Sequence, residues 1–589
     1  MAFSRGLTLT DLNDFITPSQ ACIKPVEEVK PQQEVENAAS VCLFQVATGP
    51  SNLATLAQTQ IGIDSAGVYY EESRQDPGRK KLQQAQISLN DCLACSGCIT
   101  SAESVLISMQ SHEEVLKTVE SNPAPSHPDH KTFVLSIAPQ SLASLAASIS
   151  PSATTQQVLR RVEAFAHKIL GFSYTYDTTF ARHIALLEHT REFFERGASS
   201  TSSTLSDDKP GGTRLPMIAS ACPGWVCYVE KAHPEMIPFL SRTKSPQQVM
   251  GTLVKAWLAR RWGKSANSIY HVTVMPCYDK KLEASRQDFY SDLLSTRDVD
   301  CVLTTAELEI LMRDKGWDIS VPVPGEDENR LPSAENGVLP ELVQHPGSSS
   351  GSYLQSLIDS VSLGAKSPSV STKTIRTTDY EEYTVTDEAD GKILFRGAKC
   401  YGFRNLQNIV RKVGRDAGVS VSRGAAGRMA MRGRRAVGAV ARKGLQTEEP
   451  RSYDYVEVMA CPAGCVNGGG QLRGGARPQA TDSLDGVPES AATRDARWGD
   501  KQLVKDVEAI YWGGVWTPPP SPTGKQRAPI LVAADKLAVE VLGDLCQSGS
   551  TFSRWSDSMD AEAESLRCAL FRTNFRAVES EVVGLAVQW

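Results

Sequence analysis

From about residue 131 onward, short apolar runs alternate with stretches whose apolar positions recur every three to four residues. The compact runs, bounded by turn formers, predict buried strands at Phe133–Ile137, Pro216–Ala219, Tyr270–Val274, Val302–Thr304 and Tyr455–Met459. Helical spacing predicts a helix over 154–170, and Tyr401–Val410 has the same periodicity. Strands alternating with helices point to an α/β protein with a parallel sheet. Four polar stretches interrupt the pattern: 198–213, 319–352, 473–500 and 516–528. Their Ser, Gly and Pro content predicts surface excursions. Upstream, 1–22 reads as ordered, 24–40 as loop, and 108–130 as a helix followed by a linker. No internal repeat is present.

Composition narrows the class. Apolar residues make up 41% of the 589-residue chain, which excludes a mostly disordered protein. No run approaches the roughly 18 apolar residues of a spanning helix, so no membrane partner is expected. The first residues fit neither a secretory signal nor a transit peptide. The expected setting is cytoplasmic or nuclear, where the 14 cysteines are not expected to form disulfides and clustered ones read as metal ligands. A net charge of −6 makes the whole chain no polyanion binder. The basic stretch 411–443 carries ten Arg or Lys and one acid. It has no interleaved aromatics to stack bases, so it reads as a solvated insert and no direct nucleic-acid contact is expected.

The densest cysteine run is Cys92-Leu-Ala-Cys95-Ser-Gly-Cys98. Three thiolates on a tight loop can wrap one side of a cubane iron–sulfur cluster, and Gly97 suits the backbone such a loop needs. Zinc, which prefers two separated Cys-x2-Cys pairs, is the weaker reading. The ferredoxin pattern would place a fourth cysteine at 102, which is Ala102. The fourth ligand must come from elsewhere, with Cys22 and Cys42 as upstream candidates.

A second set lies far apart in sequence but at equivalent places. Cys222, Cys277 and Cys461 each follow a predicted strand, and Cys465 lies four residues beyond Cys461. Ligands of an open parallel sheet gather beyond the carboxyl ends of its strands, so the three loops can converge. Cys461 and Cys465 would share a face if their segment starts a helix. Gly464 and Gly468–Gly470 would let backbone amides approach a cluster with anionic ligands. Cys222, Cys277, Cys461 and Cys465 thus form a candidate second quartet. Cys227, Cys301, Cys400, Cys546 and Cys568 read as packing residues. Lys280 and Lys281 could hydrogen-bond a cluster's anionic ligands, or could be a solvated pair at a helix start.

Ala221-Cys222-Pro-Gly-Trp225, Met275-Pro-Cys277-Tyr-Asp-Lys-Lys-Leu-Glu283 and Met459-Ala-Cys461-Pro-Ala-Gly-Cys465-Val-Asn-Gly-Gly-Gly-Gln471 resemble the three signatures of the iron-only hydrogenase family. Ser136–Pro139, Tyr176–Ala181 and Lys244–Gln247 are similar too. The N-terminal Asp11-Leu-Asn-Asp-Phe-Ile-Thr-Pro-Ser-Gln-Ala-Cys22 segment resembles the eukaryotic branch of that family: the hydrogenase-like factors of cytosolic iron–sulfur protein assembly, called Nar in fungi. The resemblance implies two [4Fe–4S] clusters, with Cys22 completing the set of Cys92, Cys95 and Cys98. It implies an iron-only-hydrogenase-like α/β fold of two doubly wound lobes behind a small N-terminal iron–sulfur domain. It implies Lys280 as a cluster-contacting residue, and partners in the assembly machinery: an upstream P-loop NTPase scaffold, a targeting complex with a WD40 propeller subunit, and apo iron–sulfur proteins. The terminal Trp589 would be the docking residue for that complex, although Gln588 stands where an acid is usual.

Hydrogenases read Thr-Ser-Cys-Cys-Pro at the first signature, the earlier cysteine relaying protons. Here Ala221 stands there and cannot carry one, so no hydrogenase activity is expected. The expected organisation is an iron–sulfur domain at 1–107, a first lobe at 131–318, a second lobe at 353–515 with the basic insert, and a helical C-terminal region at 529–589. Two other readings stay open: a hydrogenase or other redox enzyme, and an oxygen-responsive interaction protein.

Overall fold

The computed structural model describes residues 25–26, 59–63, 69–73, 76–81, 83–84, 106–201, 214–292, 294–328, 339–417, 452–472, 501–513, 528–546 and 553–577. The N-terminal unit contains five strands: β1 (Pro25–Val26), β2 (Thr59–Ile63), β3 (Tyr69–Ser73), β4 (Asp76–Lys81) and β5 (Gln83–Gln84). β2, β3 and β4 form an antiparallel sheet, and β1 pairs antiparallel with β5.

The larger unit is built on two large sheets and also holds a small antiparallel pair, β10 (Tyr290–Ser291) with β11 (Thr296–Arg297). In the first, β6 (Thr132–Ile137), β7 (Tyr174–Asp177), β9 (Ile269–Met275) and β12 (Cys301–Thr304) run parallel in the order β12-β9-β6-β7. Every residue of β6 is buried, because helices cover both faces of the sheet. On one face lie Pro139–Ile149, Thr155–Lys168, Thr305–Asp314 and Lys501–Tyr511. On the other lie Thr179–Thr201, Pro246–Thr252, Pro529–Cys546 and Ala561–Phe571. Capping boxes start two of these helices, Thr154 with Gln157 and Thr304 with Glu307, each satisfying two otherwise orphaned amides. The core tolerates buried imidazoles: burial pushes His271 down to about 3, and its Nε2 lies 2.8 Å from Ser136 Oγ. A neutral ring costs far less to bury than a cation.

The second sheet has the order β13-β14-β15-β16-β8, from β13 (Pro368–Thr374), β14 (Tyr380–Asp387), β15 (Lys392–Tyr401), β16 (Tyr455–Met459) and β8 (Met217–Ala219). β13, β14 and β15 are antiparallel, whereas β15, β16 and β8 are parallel. β8 lies within the stretch 131–318 expected to form the first lobe, yet it pairs with β16. The chain leaves the first sheet after the helix Thr179–Thr201 and returns with β9. The helix Phe403–Asp416 buries Leu406, Ile409, Val410 and Val413, the stripe its spacing predicts.

The expectation of a surface excursion over 319–352 is overturned for its second half. Ser349, Ser350 and Ser352 are buried. Polar residues tolerate burial when their hydroxyls are satisfied. Ser352 Oγ donates to the His345 carbonyl at 3.0 Å, and Ser349 Oγ donates to Glu508 at 2.7 Å.

Among the described residues no helix is long and apolar enough to cross a membrane. Most of 198–213, the insert 418–443 and the stretches 473–500 and 516–527 lie outside the described residues, as does 578–589.

Candidate metal centre

Each of the three sequence-predicted cysteine loops leaves the carboxyl end of a strand: Cys222 after β8, Cys277 after β9, and Cys461 after β16. Cys222 precedes the helix Pro223–Ala232, and its amide donates to Ser220 Oγ at 3.0 Å. Ser220 in turn donates to the Val458 carbonyl at 2.6 Å, tying this loop to β16.

The Cys461–Cys465 segment is not the helix start that a four-residue spacing allowed. Ala463 and Gly464 have φ of 56° and 83°, and only a short 3-10 turn follows at Cys465–Asn467. Left-handed backbone at two successive residues turns the chain back on itself, so a loop aims both thiols instead of a helix face. Two side chains hold that loop. Asp379 Oδ1 accepts from the Ala463 amide at 2.9 Å, and Ser350 Oγ accepts from the Cys465 amide at 2.8 Å. A Cβ at Gly464 would stand 2.0 Å from Ser350 Oγ, so glycine is required there by contact as well as by φ. Sequence reasoning missed both anchors. Ser350 sits in a stretch that looks like linker, and Asp379 lies far from any cysteine.

All four thiols lie within electrostatic reach of one another, covering all six pairs. Burial pushes Cys222 up to about 12, and the Asp279 and Cys465 charges push the same way. Burial likewise raises Cys277, Cys461 and Cys465. Buried thiols that oppose one another's ionisation hold protons until a cation replaces them. Four soft sulfur donors gathered at neighbouring strand ends suit an iron–sulfur cluster. Among the described residues no group of His, Cys, Asp or Glu closes on a point as a single ion's ligands would.

The two lysines diverge. Lys280 Nζ donates to Ser245 Oγ at 3.0 Å and to Glu283 Oε2 at 2.9 Å, and its charge draws Cys277 and Cys465 downward. Lys281 turns away, to the Gln110 carbonyl and Glu307, both at 2.6 Å. Ser245 and Gln247, in the Lys244–Gln247 stretch, both donate to Glu283.

The Cys277 and Cys465 loops meet through a glycine contact. The Gly470 amide donates to the Pro276 carbonyl at 2.9 Å, and a Cβ at Gly468 would lie 2.3 Å from that oxygen. Gly468→Ala therefore has to move one cysteine loop off the other. A loss of about 1–3 kcal/mol is expected, as for other overpacked sites. The check is a lower thermal midpoint together with lower iron occupancy after anaerobic reconstitution.

A small cleft opens beside Cys222, lined by Ala221, Cys227, Ser245, Glu283 and Phe575. Ala221 presents a methyl group to it. Cys301, Cys400 and Cys546 are buried in β12, in β15 and in the helix Pro529–Cys546, while Cys227 and Cys568 are half-buried on helices. Cys22, Cys42, Cys92, Cys95, Cys98 and Trp589 lie outside the described residues.

A family model described as the iron only hydrogenase large subunit, C-terminal domain, matches residues 131–469. The chain is 40% identical to the cytosolic Fe-S cluster assembly factor NAR1 of Cryptococcus neoformans, covering 100% of both chains. It is 37% identical to the cytosolic iron-sulfur assembly component 3 of Rattus norvegicus, covering 100% of this chain and 99% of the relative. Among solved structures it is similar to an [FeFe]-hydrogenase described for oxygen inactivation of its H cluster, with a TM-score of 0.54 and 22% identity over 79% of this chain and 98% of that one. An apo [FeFe]-hydrogenase from Chlamydomonas reinhardtii gives a TM-score of 0.52 at 22% identity, with the same coverage. At that identity the likeness speaks to the fold.

Proposed function

The chain belongs to the family of hydrogenase-like cytosolic iron–sulfur cluster assembly factors, and from that premise we propose that it carries two [4Fe–4S] clusters and helps pass clusters from a scaffold to apo-proteins. Its role lies in cytosolic iron–sulfur protein assembly. The observation that supports the reading furthest is the quartet of buried, electrostatically coupled thiols gathered at three strand ends, which would hold one of the two clusters.

Cys222, Cys277, Cys461 and Cys465 would hold one cluster as thiolates, and Cys22, Cys92, Cys95 and Cys98 the other. When bound, such a cluster supplies iron and sulfide as an exchangeable unit and a one-electron couple. The surrounding chain does the rest. Lys280 offsets the anionic charge at Cys277 and Cys465. Ser350 and Asp379 fix the loop that aims Cys465. At the position where hydrogenases carry the proton-relaying cysteine, the Ala221 methyl holds no proton, and the Glu283 carboxylate in the same cleft is engaged by Ser245, Gln247 and Lys280. That supports assembly rather than hydrogen turnover.

The scaffold is read as a P-loop NTPase. The targeting complex is read as one with a WD40 propeller that receives Trp589, and the work as taking place in cytosol and nucleus. A bare aromatic with its terminal carboxylate is a peptide ligand that a groove can capture. Anaerobic purification followed by iron and sulfide counting and electron paramagnetic resonance tests the reading. About eight irons in two cubane signals are expected. Half that iron after full reconstitution, or hydrogen evolved by reduced protein, would overturn it.

A further inference from the structure

The geometry points to Asp279 as an electrostatic positioning residue that holds the reduction potential of the cluster in the Cys222, Cys277, Cys461 and Cys465 quartet low, keeping that cluster oxidised. The inference rests on the quartet reading above and assigns it a regulator of electron uptake.

Asp279 opens the helix Asp279–Ser285, two residues beyond Cys277. Gly224 is the second residue of the neighbouring helix Pro223–Ala232, two residues beyond Cys222. The absent side chain at Gly224 leaves room for both groups at once. A Cβ there would lie 3.0 Å from Asp279 Oδ2 and 3.7 Å from Cys222 Sγ. The carboxylate and the thiol therefore flank one backbone position. Asp279 also lies within electrostatic reach of Cys277 and Cys461.

Lys280 is the cation set against Asp279, acting on Cys277 and Cys465, and it shares its charge with Glu283 at 2.9 Å. The quartet thus sits in a lopsided field: Asp279 bears on Cys222, Cys277 and Cys461, whereas at Cys465 the Lys280 cation is set against Glu457 and Glu508. Cluster potentials follow the net charge around them. Taking up one electron adds negative charge, which a nearby carboxylate disfavours most where burial weakens screening. A potential held down in this way suits a cluster that is kept in place or handed on, and disfavours one that cycles electrons.

The test uses the full-length protein, reconstituted anaerobically and titrated with a reductant under electron paramagnetic resonance. The quartet's signal is the one that Cys465→Ala removes. At the ambient potential that half-reduces the native quartet, Asp279→Asn should raise the ratio of reduced to oxidised cluster about tenfold, which is ~59 mV for a one-electron couple. Asp279→Glu, which keeps the charge, should stay within about threefold of the native ratio. Iron and sulfide content should match the native protein in both variants. An unchanged ratio in Asp279→Asn at full iron content overturns the proposal. So do equal shifts in the Asn and Glu variants, which would mean shape rather than charge, and so does loss of iron in Asp279→Asn, which would mean a structural role. Failure of the quartet reading itself would appear separately, as a Cys465→Ala protein that keeps every signal.

Discussion

Replacing Cys465 with alanine is expected to remove roughly half of the iron bound by the purified protein, because a cubane that loses one of four thiolates loses an anchoring bond and gains an exposed iron. Cys461→Ala should do the same. The two thiols come from one loop, and each lies within electrostatic reach of Cys222 and Cys277. Among the described residues no substitute stands ready. The half-buried Cys227 shares the cleft with Cys222 but sits on the next helix, more than a turn further along. Cys301 and Cys400 are committed to strand interiors in β12 and β15. Cys227→Ala and Cys301→Ala should therefore keep nearly full iron. In cells, the Cys465 and Cys461 variants should lower the activity of cytosolic iron–sulfur enzymes while the two control variants leave it intact. Native iron content in both quartet variants would refute the ligand assignment.

The strands that carry these cysteines were legible because burial on both faces forces continuous apolar runs. β6, β9, β12 and β16 all fall where such runs stand in the sequence. The placement of β8 was not legible. A three-residue strand carries no signal for which sheet it joins, and its partner β16 lies more than two hundred residues on. The antiparallel β13–β14 hairpin was missed as well. β13 is an exposed edge strand of Ser, Thr and Lys, lacking the apolar run that burial demands. The cysteine spacing located the candidate site but not what holds it. Ser350 and Asp379 act through single hydrogen bonds to loop amides, and a lone Ser or Asp carries no periodicity. Asp279 stood inside a quoted motif. Its role depends on an adjacent glycine 55 residues away in sequence, a relation that only the fold exposes.

Glu192→Gln is expected to destabilise the fold by about 3–5 kcal/mol, the loss typical of breaking a buried, hydrogen-bonded ion pair. Glu192 is 2% exposed on the helix Thr179–Thr201, and its carboxylate accepts from six groups. Arg196 reaches it at 2.6 Å, Ser241 Oγ at 2.8 Å, and the Arg242 and Thr243 amides at 2.9 and 3.2 Å. That grip fixes the turn leading into Ser245 and Gln247, which hold Glu283 and through it Lys280. Burial alone would raise the carboxyl, but the Arg196 and Arg572 charges and the donated hydrogen bonds override it and bring it down to about 2. A folded-state value below the unfolded one means the stabilisation is fully present above the ordinary carboxylate range near pH 4.5 and is lost as pH falls through about 2. That window corresponds to about 3 kcal/mol. The native protein should thus unfold at a clearly higher temperature than Glu192→Gln at pH 7, with the gap narrowing steadily as pH drops below 4.5. Acid loss of metal, common to both proteins, cancels in that difference. A gap that stays constant down to pH 3 would show that Glu192 contributes shape and not charge.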